Sequence, residues 1–483
     1  MAENHTDQDS RQPAPKTSRW KIAAILVLLV CALLVIKLVL LLTAKPTISV
    51  DYLAEFNRIS KPADYDPNQN AAPYYQKAFD VLNSMSPDRQ DIWRVRPADM
   101  NDSQIQFLES WLESNSEALG YLNEAVQKQY YWVQVHRVHY EDNSLETIDL
   151  SHLAKFRQAA YCLKFQARLK TAKGHPEQAF GSVISLKKMA AHLYHSNTLI
   201  AQLQAMSLDW FATRVAFEVL GNSEIDSKTL ADFQSRFEQS SQAQKRFSFG
   251  GGKIFDYAAI QRVFTDDGSG DGRLIPHQLF MYRGYPKILY GLYSKPRFYF
   301  TTAGIYLKTV WASLNHPTRR QTVEGVEEVY GLLDEVVKKT PWELHQKRTS
   351  HEKQIQKLTK GNYFLSSEFA HIGPICLIYH RRNATNNALI ATVALSVYKA
   401  GKNRLPDSLE QLVSDGYLEE LPMDPFGPGP LIYKRIGDDF RLYSFGLDFD
   451  DDGGIGYRWG MGEEGGDQVF WPIKQAREKD KQK

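Results

Sequence analysis

Cysteine is scarce in this chain, net charge is nearly absent, and the short signatures of common hydrolases are missing. The 483 residues include three cysteines, Cys31, Cys162 and Cys376. Cys31 falls in an apolar run, and the other two lack the close spacing of a zinc or iron–sulfur site. A Cys162–Cys376 disulfide is open to the chain outside the cytoplasm, but two separate buried thiols are the simpler reading. The 58 basic and 56 acidic side chains leave a formal charge of +2. That balance argues against a nucleic-acid partner, because phosphate binding needs a basic excess on some surface. There is no G-x-S-x-G or H-E-x-x-H, and no Cys/His pair with a positioned carboxylate. The glycine run at 250–252 is followed by Lys253 and Ile254, which does not complete a phosphate loop; it reads as a hinge or loop. Apolar residues, in contrast, make up 43% of the chain and aromatics 12%. That is enough for sizeable cores, and the length suggests about two to four domains.

Residues 22–43 read IAAILVLLVCALLVIKLVLLLT, with Lys37 the only charge. Roughly 20 such residues span a bilayer's hydrocarbon core. Lys37 sits close enough to the outer end for its amine to reach the headgroups. Arg11, Lys16, Arg19 and Lys21 precede the run, whereas Lys45 is the only base between it and Asp51. Positive flanks stay inside, so the N-terminus is expected in the cytoplasm and the bulk outside it, with residues 22–44 in the membrane. A cleaved signal sequence is the rival, but its apolar core usually spans about 7–15 residues.

Beyond a polar tail at 1–21, the membrane helix at 22–44 and a Pro- and Asp-rich linker at 45–70, helical periodicity dominates. In 72–85, Tyr75, Ala78, Phe79 and Leu82 recur at i, i+3, i+4 and i+7, one face of a helix. The pattern continues over 105–121. The clearest stretch is 153–220, where one helix stops at Gly174 and another begins near Pro176. This Ala-rich hairpin resembles a single tetratricopeptide-type repeat, with no convincing second copy; an ordinary helical hairpin remains the alternative. His136/His139 and His192/His195 are spaced i, i+3 but lack the carboxylate pattern of a metal site. The aromatic stretch 280–311 suits packing within the domain, with a partner or the membrane surface as alternatives. The helical domain is expected to cover 71–380, with a candidate break near 250–275.

Two acidic loops suggest a hard cation. In the first, Asp267, Ser269 and Asp271 take positions 1, 3 and 5 of an EF-hand-like calcium loop and Gly272 the sharp turn, but Gln278 stands where the closing Glu belongs. In the second, Asp448, Asp450, Asp451 and Asp452 crowd into five residues. Such carboxylates repel unless solvated or bound to a cation.

Residues 387–472 resemble the periplasmic domain of the major pseudopilin of type II secretion systems. The matching elements come in order: a helix with Ala391, Ala394, Leu395 and Tyr398; Leu405-Pro406, Leu409 and Leu412; Gly416-Tyr417, Leu421-Pro422, Asp424-Pro425 and Gly427; Tyr433; a strand over 440–444; then Gly446, Asp448, Gly466, Asp467 and Trp471. The resemblance implies a small α+β domain over 381–473, followed by a tail at 474–483. It also implies calcium held by Asp448, Asp450, Asp452 and Asp467, with Leu447 a candidate backbone ligand. The chain departs from the family in having no prepilin-peptidase site, and its membrane helix lies far upstream of the matching module.

The expected fold is a mainly α helical domain after a single transmembrane helix, plus a small α+β pseudopilin-like C-terminal domain. The expected function is a non-enzymatic binding or scaffold role in a bacterial cell envelope, at the cytoplasmic membrane and with a protein partner there. The alternatives are an accessory part of a secretion or pilus-like machine, and an envelope hydrolase with an unrecognised site.

Overall fold

Local sequence explains where most helices begin and end. Asp51 caps the N-terminus of one helix, and Asn101 and Thr340 each close a capping box with Gln104 and Glu343. Proline occupies the first turn of several others. The computed structural model describes residues 19–85, 90–136, 151–242, 247–282, 297–348, 350–370, 372–457 and 465–472. Residues 1–18, the tail at 474–483, His139, and Tyr285, Tyr290 and Tyr293 of the aromatic stretch lie outside these residues.

In chain order the helices are α1 (Arg19–Thr43), α2 (Tyr52–Ser60), α3 (Ala72–Val81), α4 (Gln90–Arg94), α5 (Asp102–Glu113), α6 (Ser116–Ala125), α7 (His152–Ala172), α8 (Pro176–Tyr194), α9 (Leu199–Leu220), α10 (Ser227–Gln242), α11 (Gly250–Val263), α12 (Pro276–Tyr282), α13 (Arg297–Leu314), α14 (Arg319–Val336), α15 (Pro341–Gln346), α16 (His351–Thr359), α17 (Tyr363–Glu368), α18 (Gly373–Lys402) and α19 (Leu409–Ser414). Four strands follow: β1 (Ile432–Ile436), β2 (Asp439–Ser444), β3 (Gly456–Tyr457) and β4 (Asp467–Trp471), in sheet order β1-β2-β4-β3. The chain is therefore mainly helical, with one small sheet late in it.

Two compact units emerge, one of residues 1–48 and 260–321, the other of 49–259 and 322–483. In the first, α1 is the one helix among the described residues long and apolar enough to cross a membrane. Its side chains are mostly exposed until Leu41, which is buried. Lys37 Nζ donates to the Leu314 carbonyl at 3.0 Å.

In the second unit, α7 and α8 form the expected hairpin. Gly174 ends α7 at φ +71°, a left-handed conformation that glycine adopts without a Cβ penalty. Helices α9 and α10 pack on α8, and α18 packs on α9 and α10. Helix α18 runs unbroken for 30 residues, through the expected domain boundary at 380/381, and ends at Asn403 with φ +54°.

Some local readings change. The segment 45–70 holds α2 and a short 3-10 turn at Pro67–Gln69. The helical pattern over 105–121 is divided between α5 and α6, with Asn115 buried at the break. The glycine run at 250–252 is not a loop but the first turn of α11. A Cβ at Gly251 would overlap the Asn197 carbonyl, and one at Gly252 the Tyr330 hydroxyl. These glycines let the helix end approach other backbone and side chains closely.

Where α8, α9 and α18 meet, Lys187, Asp209 and Arg382 form a buried ion cluster. Lys187 and Asp209 are fully inaccessible and lie 2.5 Å apart, Nζ to Oδ1. Arg382 Nε pairs with Asp209 Oδ2, and Asn386 Nδ2 donates to the same oxygen at 2.9 Å. The Thr213 hydroxyl donates to Asn386 Oδ1 at 2.7 Å, and Lys187 Nζ lies 4.3 Å from the Phe237 ring centroid. Burial favours a neutral Asp209, but Arg382 and Lys187 outweigh it and hold its carboxyl far below the usual range. Burial lowers Lys187 to about 8, against the pull of Asp209.

His192 is also committed to the interior. Its Nε2 lies 3.0 Å from the Lys128 carbonyl, which can only accept, so Nε2 carries the proton and Nδ1 accepts from the Tyr75 hydroxyl at 2.9 Å. Burial lowers its pKa to about 4, and the ring is neutral.

Candidate metal loop of the C-terminal module

The acidic segment 447–453 connects β2 to β3, and its ends are set by glycines. At Gly446 φ is +77°, and a Cβ would lie 2.6 Å from the Gly466 carbonyl; at Gly454 φ is +82°, and a Cβ would overlap Arg441. Both positions combine left-handed backbone with no room for a side chain. β2 pairs antiparallel with both β1 and β4, and two-residue β3 pairs parallel with β4. This order brings Asp467, the first residue of β4, beside the acidic segment.

Asp424 fixes where the segment starts. Its buried carboxylate accepts from the Phe426 N–H at 2.9 Å, the Ser444 hydroxyl at 2.8 Å and the Phe445 N–H at 3.0 Å. Burial still raises its pKa above the usual value. Further along, Phe449 takes φ +63°, uncommon for a bulky residue, and its ring stacks on His345 of α15 at 4.3 Å. The Trp342 N–H donates to the Pro425 carbonyl at 3.1 Å. Helix α15 thus grips both the 424–427 turn and the acidic segment. Beside His345, a solvent-open cavity of about 630 Å³ is lined by Leu344, His345, Gln346, Arg348 and Ser350.

The carboxylates differ in their surroundings. Asp448 Oδ2 accepts from the Gly466 N–H, and Asp450 Oδ1 from the Asp451 N–H at 2.9 Å. Asp451 Oδ1 accepts from the Tyr443 hydroxyl at 2.7 Å and the Gly453 N–H at 2.9 Å; these donors outweigh desolvation and lower its pKa. Asp452 is exposed, and its pKa is raised by desolvation and then by the charges of Asp448, Asp450 and Asp451. Asp467 is fully buried. Its Oδ2 accepts from the Gly454 N–H at 2.6 Å, while Oδ1 has no hydrogen-bond partner among the described residues. Burial, only partly offset by the backbone N–H groups of Gly454 and Asp452 and reinforced by the charges of Asp451 and Asp452, pushes Asp467 up to about 6.

A buried carboxylate oxygen without a donor, next to three more acids, is a donor set that a hard cation would satisfy. As the side chains are placed, however, no group of three or more His, Cys, Asp or Glu among the described residues is arranged to hold a metal ion. Metal binding at Asp448, Asp450, Asp452 and Asp467 therefore requires the carboxylates to turn inward from their backbone partners.

The first acidic loop has cations of its own. Asp266 pairs with Arg319 at 2.5 Å. Asp271 Oδ1 accepts the Arg320 N–H at 3.0 Å in the first turn of α14, where a carboxylate also meets the positive end of the helix. Asp267 Oδ1 turns back to the Ser269 N–H at 2.8 Å and hydroxyl at 2.7 Å, and Arg320 reaches the Ser269 carbonyl at 3.3 Å. Asp267, Ser269 and Asp271 do lie together, but two arginines supply the positive charge. Sequence reasoning missed both arginines, which lie about fifty residues downstream.

Comparison with known proteins gives no match to a family model, a curated protein or a solved structure.

Proposed function

We propose that this chain is a single-pass protein of a bacterial cell envelope, anchored by α1 with its N-terminus in the cytoplasm. Its bulk serves as a binding scaffold outside the cytoplasmic membrane, and its C-terminal module is a pseudopilin-like domain that takes calcium as a structural ligand. The orphaned, buried Oδ1 of Asp467 beside the acidic segment carries the calcium reading. Asp448, Asp450 and Asp452 would supply the remaining carboxylates and Leu447 a carbonyl. The ion would supply charge compensation, not chemistry. All-oxygen ligands favour calcium over zinc, and a flexible loop is a poor match for the tight octahedron of magnesium. The anchor reading rests on the length and composition of α1 and on the basic residues before it.

Thermal unfolding of the full chain with calcium, with magnesium and with chelator tests the metal. A ligand specific to the folded state adds about 2.7 kcal/mol at a hundredfold excess over Kd. Calcium alone should raise the transition of the C-terminal module, and Asp448→Ala with Asp467→Ala should abolish the rise. Identical melting in all three conditions removes calcium. Topology is tested separately: protease added to spheroplasts should digest the region after Lys45, and alkaline washing should leave the protein in the membrane pellet. A soluble form beginning near Ala44 would identify the apolar segment as a cleaved signal.

A further inference from the structure

Helix α13 has its burial pattern reversed. Thr309 is fully buried and Ser313 nearly so, whereas Leu307 is 65% and Trp311 73% exposed. Residues two apart on a helix point about 200° from each other, so Leu307 and Trp311 lie opposite Thr309 and Ser313. The inward hydroxyls are satisfied within the helix, Thr309 by the Tyr306 carbonyl at 2.7 Å and Ser313 by the Thr309 carbonyl at 2.8 Å. Ile305 and Tyr306 pack on Phe280 of α12. A helix meeting water on its outer side would carry the opposite pattern. Leu307, Trp311 and Leu314 recur at i, i+4 and i+7, a single apolar stripe.

That stripe ends at α1. Lys37, inside the apolar run, donates to the carbonyl of Leu314, the last residue of α13. Lys37 lies six residues before Thr43, about 9 Å along the helix at 1.5 Å per residue. A terminal helix carbonyl carries negative partial charge, so it is a suitable partner for an ammonium away from water. The bond sets the C-terminal end of α13 at the depth of Lys37.

We propose that the exposed Leu307–Trp311 face of α13 lies in the outer leaflet of the same bilayer that α1 crosses, just inside the headgroup level. This rests on α1 being a membrane span. Tryptophan is enriched at that level because its ring is apolar with one polar N–H. The occupant of the face is lipid, because the helix bearing it is bonded to a residue within the spanning segment.

Spin-label accessibility of the full chain in lipid nanodiscs tests this. One sample labels native Cys31 in α1. The others carry Cys31→Ala together with Leu307→Cys, Trp311→Cys or Arg273→Cys, the last in an exposed loop of the same unit. Labels at 307 and 311 should relax with dissolved oxygen and lose relaxation by a water-soluble nickel complex, whereas the 273 label should keep it. Nickel access at both 307 and 311, with Cys31 shielded in lipid, overturns the proposal and leaves the anchor standing. Shielding at 307 and 311 from both reagents also overturns it, because the face is then covered by protein. Nickel access at Cys31 itself removes the anchor, and the proposal with it.

Discussion

Asp209→Asn should be the most damaging single substitution in the helical core. Asparagine keeps the shape of aspartate and removes only its charge. Lys187, with no accessible surface, would then sit 2.5 Å from a neutral amide, and Arg382 would lose its anion as well. Breaking a buried ion pair from one side costs about 3–5 kcal/mol, because the remaining charge stays desolvated. In a unit this large, 1 kcal/mol moves the melting temperature by about 2–4 °C, so the expected fall is roughly 6–10 °C at the low end of that scale. Lys187→Met should cost much less, about 1–2 kcal/mol, since methionine fills the stem's space and Asp209 keeps Arg382 and Asn386. The triple variant Lys187→Met, Asp209→Leu, Arg382→Met should recover much of the loss, because it leaves no charge unpaired. Calorimetry of the purified full chain in detergent, supported by hydrogen exchange across α9 and α18, measures all three. Equal losses for Asp209→Asn and Lys187→Met, or an unchanged transition for Asp209→Asn, would refute the reasoning.

Gly251→Ala should lower the melting temperature more than Gly174→Ala, because a Cβ at 251 meets the Asn197 backbone whereas one at 174 meets open space and only the left-handed strain, on the order of 1 kcal/mol; equal effects would remove the close approach at α11. Asp467 gives a pH dependence with a defined sign. Its folded pKa of about 6 lies above the unfolded value, so in chelator its contribution is fully present below about pH 4 and is lost as pH rises through 6. Screening by the exposed loop around it reduces the loss to about 1–2 kcal/mol; Asp467→Asn should flatten that part of the stability profile, and a curve identical to the parent's would show that Asp467 does not titrate there. Cys162 and Cys376 are buried free thiols raised to about 12 and about 11, so maleimide should modify them only after unfolding, and rapid labelling of the native protein would contradict their burial.

Several features were legible in the sequence because they depend on neighbours along the chain. The apolar run became α1 almost residue for residue, and the Gly174/Pro176 punctuation marked a real helix-to-helix turn. The strand over 440–444 appears as β2, one residue longer. Helical period and helix-terminating glycine are set within a few residues, so a linear reading captures them, whereas the strand was expected from the pseudopilin resemblance. The contents of the sites were legible only in part. The acids at 448–452 are visible in any reading, but the full burial of Asp467 and its orphaned oxygen depend on β4 pairing with β2 and β3.

Tertiary structure alone decided the rest. Nothing in the sequence sets Lys187, Asp209 and Arg382 apart, and only the packing of α8, α9 and α18 makes them one buried cluster. The glycines at 250–252 look like a hinge until Asn197 and Tyr330 are seen against them. Asp271 looks like a free cation ligand until the Arg320 N–H arrives from far downstream, with Arg319 paired to the neighbouring Asp266. In each case the deciding partner is distant in sequence. Periodicity shows which face of an element is apolar, but not which charge or backbone the fold will set against it.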